Sequence, residues 1–337
     1  MRLLLSMGVR DLPEGPLRGA LREVDTDQGA VREVLSWSPP ASEHPGALEH
    51  AELTGACRVG NDRLLQCTRT GVLEIDLPTY RVVRSSSHPW MHDVHHAIPD
   101  ADGRLIVAAT GHDSVVWFAG GAAVDGWWFG ATDGVPRRWR GGSPPPGFAE
   151  RYGDSVDLRR VPFDRFKPHR VHPNHLARDG GDLLVTGLMG GELWQLDGAG
   201  DATPRVVARM PGPAHDGRVI GELRWFTTTA GEVIALDPRS HRARLRLNLL
   251  ALDDAPGIPG WCRAVEVVGH TLIVGWTTLR SSRHRELLRR ALRGARGTKR
   301  PTRIAWYNLR DGKKLGEVEV GGPGGGTIYA IHHLADG

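Results

Sequence analysis

The sequence predicts an all-β chain folded as a six-bladed β-propeller, its closing blade shared between a C-terminal inner strand and three N-terminal strands. Three observations carry this. The first is a repeat. His175-Leu-Ala-Arg-Asp-Gly runs through Leu183 to Gly191-Glu-Leu-Trp-Gln-Leu-Asp197, and His215-Asp-Gly-Arg-Val runs through Leu223 to Gly231-Glu-Val-Ile-Ala-Leu-Asp237, a gapless offset of 40 residues. A period of about 40 with strand–turn content marks a radial or stacked array. The second is composition: the 337 residues hold 44 Gly, 23 Pro and 11 Trp spread along the chain, with apolar alternation between Gly and Asp turns. The third is circular. His333-Leu-Ala-Asp-Gly337 followed by Met1-Arg-Leu-Leu-Leu-Ser-Met-Gly8 repeats His175-Leu-Ala-Arg-Asp-Gly180 followed by Gly181-Asp-Leu-Leu-Val-Thr-Gly187.

The blades follow in order. One covers Gly55–Arg84, with strands near 55–59, 62–67, 71–76 and 80–85. The next spans about 92–129, opening on His96-Ala-Ile-Pro-Asp-Ala-Asp-Gly, which fits the frame once its turn is allowed two extra residues. The others span about 172–209, 213–249 and 261–320. In the closing blade, 327–334 form the innermost strand and 2–8, 20–25 and 31–37 the outer three; closure in this way leaves no unpaired inner edge. The whole of 1–337 is expected as one propeller domain carrying two insertions. Residues 130–170 hold Pro144-Pro145-Pro146 and the aromatics Trp139, Phe148, Tyr152, Phe163 and Phe166, and are expected to form an ordered flap. Residues 281–302 include Arg285-Glu-Leu-Leu-Arg-Arg-Ala-Leu-Arg, a basic helix with Leu288 and Leu292 on one face, read as a solvated rim element that an anionic partner could also meet.

Composition excludes several classes. The net charge is only +4, and much of the basic excess sits in 280–303, so nucleic acid is not an expected partner. Cys57, Cys67 and Cys262 are odd in number and lack metal-finger spacing, which suits a reducing, cytoplasmic setting. Leu3-Leu4-Leu5 is too short for a secretion signal, and no apolar run approaches a membrane span.

The first strand of each propeller blade lines the central channel. Those strands carry Cys57-Arg58, His92-Asp-Val-His95-His96, His172-Pro-Asn-His175, Ala214-His215-Asp, Cys262-Arg263 and His332-His333. Histidines recur at one repeat position in four blades, so His96, His175, His215 and His333 are expected to converge on a divalent metal. Imidazole suits iron, zinc and copper. His92 and His172 are expected behind them as acid–base groups, and Arg263 as a clamp for a carboxylate or phosphate. Asp93 and Asp216 could orient the ligand histidines. Cys57 and Cys262 read as small inward fillers. Gly321-Gly-Pro-Gly-Gly-Gly326 lacks the lysine and following helix of a phosphate loop and reads as a flexible crossing.

The inner-strand motifs His92-Asp93, Asn174, Ala214-His215 and Arg263-Ala-Val resemble six-bladed propellers of the gluconolactonase-like and NHL-type superfamily, above all uncharacterised bacterial members. The stretch Cys262-Arg263-Ala-Val-Glu-Val through Val274-Gly-Trp-Thr-Thr-Leu-Arg280 carries the resemblance best. Gluconolactonase-like enzymes hold a divalent ion with carboxylate and asparagine ligands, a pattern that only Asn174 matches here. A four-histidine ion on the axis is similar in geometry to the iron centre of carotenoid cleavage oxygenases. The expectation is therefore a metal-dependent enzyme acting on a small organic substrate, with Fe(II) favoured, Zn or Cu as other candidates, and oxidoreductase chemistry first. The alternatives are a hydrolase, lyase or isomerase with a redox-inert ion, and a binding propeller without chemistry.

Overall fold

The computed structural model describes the chain except for residues 13–14, 16, 41–50, 154–156, 164, 166–168, 197–201, 254, 280–297 and 335–337. Six antiparallel sheets form the blades. Blade I combines β1 (Arg2–Val9), β2 (Arg18–Asp25) and β3 (Ala30–Trp37) with the C-terminal β25 (Gly326–Leu334). Blade II is β4 (Leu53–Val59), β5 (Arg63–Thr68), β6 (Gly71–Asp76) and β7 (Arg81–Ser87). Blade III is β8 (Val94–Pro99), β9 (Leu105–Ala109), β10 (Ser114–Ala119), β11 (Ala122–Trp128) and β12 (Arg137–Arg140). Blade IV is β13 (Pro173–Asp179), β14 (Asp182–Gly187), β15 (Glu192–Leu196) and β16 (Arg205–Arg209). Blade V is β17 (Ala214–Ile220), β18 (Leu223–Thr228), β19 (Glu232–Leu236) and β20 (Ala243–Asn248). Blade VI is β21 (Trp261–Val268), β22 (Thr271–Thr277), β23 (Arg303–Asn308) and β24 (Lys314–Glu319).

The circular repeat predicted the closure. β1 pairs with β25 from Arg2–Leu334 to Val9–Gly326. Strand alternation explains why β1 is nearly all apolar. Leu3, Leu5, Met7 and Val9 pack with Ala264, Ile273 and Ile304 of blade VI. Leu4, on the other face, packs with Leu53, Leu64 and Leu73 of blade II. One strand thus seals two interfaces.

Every inner strand carries a β-bulge. The pairing register shifts between Leu53 and Ala56, Val94 and His96, Pro173 and His175, Asp216 and Val219, and Arg263 and Val265. In β25 it shifts across Tyr329, where Ser6 pairs with Ala330 and Met7 with Ile328. A bulge inserts residues that have no partner across the strand pair and re-aims neighbouring side chains. Here the extra residues include His95, Asn174, Arg218 and Tyr329. Asp93, His172, Asp216 and Ala264, with φ of 50°, 56°, 65° and 59°, sit left-handed at these same places. That conformation costs a non-glycine residue about 1–2 kcal/mol, and such strain gathers at functional sites.

The 130–170 insertion is ordered over its described residues, but it is more than a flap. Residues 137–140 add β12 as a fifth strand to blade III. Beyond them α1 (Phe148–Tyr152) buries Phe148 among Trp90, Trp128 and Trp139. The chain then crosses the face of the ring where the inner strands begin, here the upper face. Leu158 N–H donates to Pro89 O at 2.9 Å. Buried Asp113 accepts the returning backbone N–H groups of Arg170 and His172 at 2.5 and 2.6 Å. The predicted basic helix lies outside the described residues except for 298–302, where Arg300 pairs with Asp253 at 2.6 Å.

Candidate functional site

Residues early in each inner strand lie toward the upper face, and those late toward the lower. In the upper tier one polar circuit touches all six blades. Arg69 donates to Glu52 at 3.0 Å through Nε and 3.2 Å through Nη2, to Asp93, and to the Tyr329 hydroxyl at 3.2 Å. Asp93 Oδ1 is 3.4 Å from His95 Nε2. His95 Nδ1 meets Asn174 Oδ1 at 2.7 Å, and Asn174 Nδ2 meets both Ala214 O, at 3.2 Å, and His215 Nδ1. Burial first, and then the nearby Arg263 charge, hold His215 well below the ordinary imidazole value. The Arg263 guanidinium lies 5.1 Å from the Trp261 ring and 5.2 Å from the Tyr329 ring, which closes the circuit on blade I.

The lower tier is tied largely to backbone, although His175 Nδ1 and His332 Nε2 are buried without a hydrogen-bond partner. His96 accepts the Leu176 N–H at Nδ1, at 3.2 Å, and donates from Nε2 to Ala56 O, also at 3.2 Å. It thereby links blades II, III and IV. Burial pushes it down to about 4, partly offset by the Ala56 hydrogen bond. His175 stacks on it at 4.0 Å. Arg218 spans from blade V to blades VI and I, donating to Ile331 O at 2.7 Å, Val265 O at 2.8 Å, Glu266 at 3.0 Å and His332 Nδ1 at 3.0 Å. His175 and His332 are held well below the usual imidazole range, by burial foremost. A cavity of about 30 Å³ lies between the tiers, bounded by residues of both, among them His95, His175, His215, Arg263, Tyr329 and His332.

The predicted residues divide. His175, His215 and Arg263 border the cavity, and so does His96, but both its ring nitrogens are committed to backbone, so its predicted role as a metal ligand is corrected. His333 is corrected too: β25 turns His332 to the cavity instead. Among the described residues no three His, Cys, Asp or Glu side chains are grouped so as to hold a metal ion. His92 donates from Nε2 to Val161 O at 3.0 Å and packs on Phe163, so it anchors the insertion rather than facing the cavity. His172 does not border the cavity; its ring packs 5.0 Å from that of His95. Asp216, placed as an orienting group, instead ties blade V to blade VI. It accepts from Thr227 Oγ1 at 2.9 Å, and burial pushes it up to about 6 against that bond and those of the Ala264 and Val265 backbone. Sequence reasoning passed over Arg69, Arg218 and Tyr329. Gly55 and the Asp216-Gly217 pair inside inner strands were the available sign of bulges.

No family model matches the chain, and no curated protein does. Among solved structures, a protein of unknown function from Bacteroides caccae aligns over 98% of this chain and 97% of its own, at 12% identity and a TM-score of 0.55. Apo AztD from Citrobacter koseri covers the same shares at 11% identity and a TM-score of 0.46. The computationally designed Ika8 protein covers 96% of each chain at 10% identity and a TM-score of 0.43. The first likeness supports the propeller fold alone.

Proposed function

We propose that this propeller binds a small organic acid in the upper tier of its axis, its acid group held between Arg263 and His215. The observation that carries the reading is His215 Nε2, which is buried with no hydrogen-bond partner. Its Nδ1 accepts from Asn174, so Nε2 bears the proton. An unsatisfied buried donor costs about 1–3 kcal/mol, which an anionic acceptor would remove. The adjacent guanidinium suits a carboxylate, and the cavity beside it, about 30 Å³, is small enough to favour a short acid. The test is a calorimetric and NMR titration of untagged protein with small mono- and dicarboxylates, inorganic phosphate and neutral amides. Saturable carboxylate binding that disappears in Arg263→Met is the expected result. No saturation at millimolar acid, or one tightly held transition metal per chain, would overturn it.

A second reading adds chemistry to binding. Asp216 borders the same cavity, and a carboxyl lifted to about 6 is suited to taking a proton near neutral pH. Deuterium uptake from solvent into a bound acid, absent in Asp216→Asn, would support this reading. Binding without exchange would leave a binding protein.

A further inference from the structure

The carboxamide of Asn174 is the only neutral amide in the upper circuit, and its orientation is fixed from outside. Ala214 O, 3.2 Å away, can only accept, so the group facing it must be the Asn174 NH₂. The remaining proton of that NH₂ points to His215 Nδ1, which must therefore be the unprotonated nitrogen. Oδ1 then faces His95 Nδ1 at 2.7 Å and accepts its proton. One backbone carbonyl thus dictates the polarity of three side chains on three blades. The consequence falls on His215 Nε2, buried and without a hydrogen-bond partner, which is left as a donor and never an acceptor.

We infer that Asn174 is the specificity-determining residue of the axial site: by locking His215 as the Nε2–H tautomer it sets a second donor beside Arg263, so that a carboxylate, which accepts at both oxygens, is selected over the corresponding primary amide, which must turn its NH₂ toward one of the two donors. This rests on the proposed acid site, and it makes that site's discrimination a property of a residue that need not touch the ligand. A site built to donate loses binding when its partner also donates, because both groups are then left buried and unpaired. Arg263 adds attraction for the charge but cannot by itself distinguish how His215 is protonated.

The substitution Asn174→Asp is nearly isosteric and inverts the logic. Its carboxylate still accepts from His95, and toward His215 it can only accept, so His215 moves its proton to Nδ1 and offers a lone pair at Nε2. The experiment is ¹⁵N NMR of the histidine side chains in the ligand-free full chain above neutral pH, for wild type, Asn174→Asp and Asn174→Ala, with acetate and acetamide as the paired probes. Wild type should show His215 Nε2 protonated, Asn174→Asp should show it unprotonated, and Asn174→Ala should show mixed tautomers with unchanged thermal cooperativity. In Asn174→Asp uncharged acetamide should bind more tightly than in wild type, and the preference for acetate over acetamide should fall by roughly tenfold or more. An unprotonated His215 Nε2 in wild type, or one still protonated in Asn174→Asp without Nδ1 protonation, would overturn the lock. A correct lock with an undiminished acid preference would overturn the specificity role. If wild type binds neither probe, the acid site itself fails while the tautomer result still stands as measured.

Discussion

His96 and His215 occupy the same place in the repeat, yet their ring nitrogens have different fates. His96 gives one nitrogen to the backbone of blade II and the other to that of blade IV. His215 gives one to a side chain, Asn174, and its other is buried without a partner. Both are neutral, both are buried, and both border one cavity. The difference lies in what the neighbouring inner strands present at that height. Around His96 they present the backbone of Ala56 and Leu176; around His215 they present the bulge side chain of Asn174 and, nearby, the Arg263 guanidinium. Repeat position places a histidine on the axis, and the neighbours decide whether it becomes a structural tie or a site.

The comparison can be broken at several points. Both tiers depend on ring closure, so deleting Met1–Val9 should have the largest effect. It removes five buried apolar side chains, Leu3, Leu4, Leu5, Met7 and Val9, together worth about 10 kcal/mol, comparable to a whole domain's stability. Loss of a cooperative thermal transition is expected, and an unchanged one would contradict the closure. Next comes Arg218→Met in the lower tier. It removes the cation shared by two backbone carbonyls and Glu266, which keeps only the Val267 and His333 N–H groups, and should cost about 2–3 kcal/mol in denaturant unfolding. A loss below about 1 kcal/mol would mean the lower tier is not the structural one.

The pH dependence sharpens the same point. His96 falls from 6.5 unfolded to about 4 folded, so the unfolded chain takes up the proton first on acidification. Its contribution is intact above pH 6.5 and is lost as pH falls toward 4, about 3 kcal/mol over that window. His175, His215 and His332 act in the same direction. Asp216, raised to about 6, acts in the opposite sense: its burial favours the protonated form and stability falls as pH rises through its window. Unfolding free energy measured from pH 7 to 4 should decline and should decline less in His96→Phe. The smallest stability change belongs to Arg263→Met, about 1 kcal/mol for the lost ring contacts, although this variant should lose acid binding entirely.

Much of this was legible in the sequence. The offset between His175 and His215 placed two blades, and the match of the chain's end to its beginning placed the closing strand, because a propeller's pattern is local and repeats. The axial position of His96, His175 and His215 followed from the same repeat. What failed was one-residue register. A single inserted residue reverses the side-chain alternation, so His95 and Asn174 join His96 and His175 at the cavity, and His332 takes the place that strict alignment gave to His333. Arg69 and Arg218 escaped notice for another reason: their partners are 17 to 260 residues away in sequence, Glu52 and Tyr329 for Arg69, and 47 to 114 away for Arg218. Only the closed ring brings them together.

The most direct test follows the histidine side chains of both tiers by ¹⁵N NMR while a small carboxylate is titrated into the full chain at neutral pH. The account predicts that His215 and His95 shift in a saturable, concentration-dependent manner while His96 stays where it was, because the former face the ligand and both ring nitrogens of the latter are bonded to backbone. An equal shift of His96, or shifts confined to the lower-tier histidines, would contradict the division of the axis into a site above and a tie below.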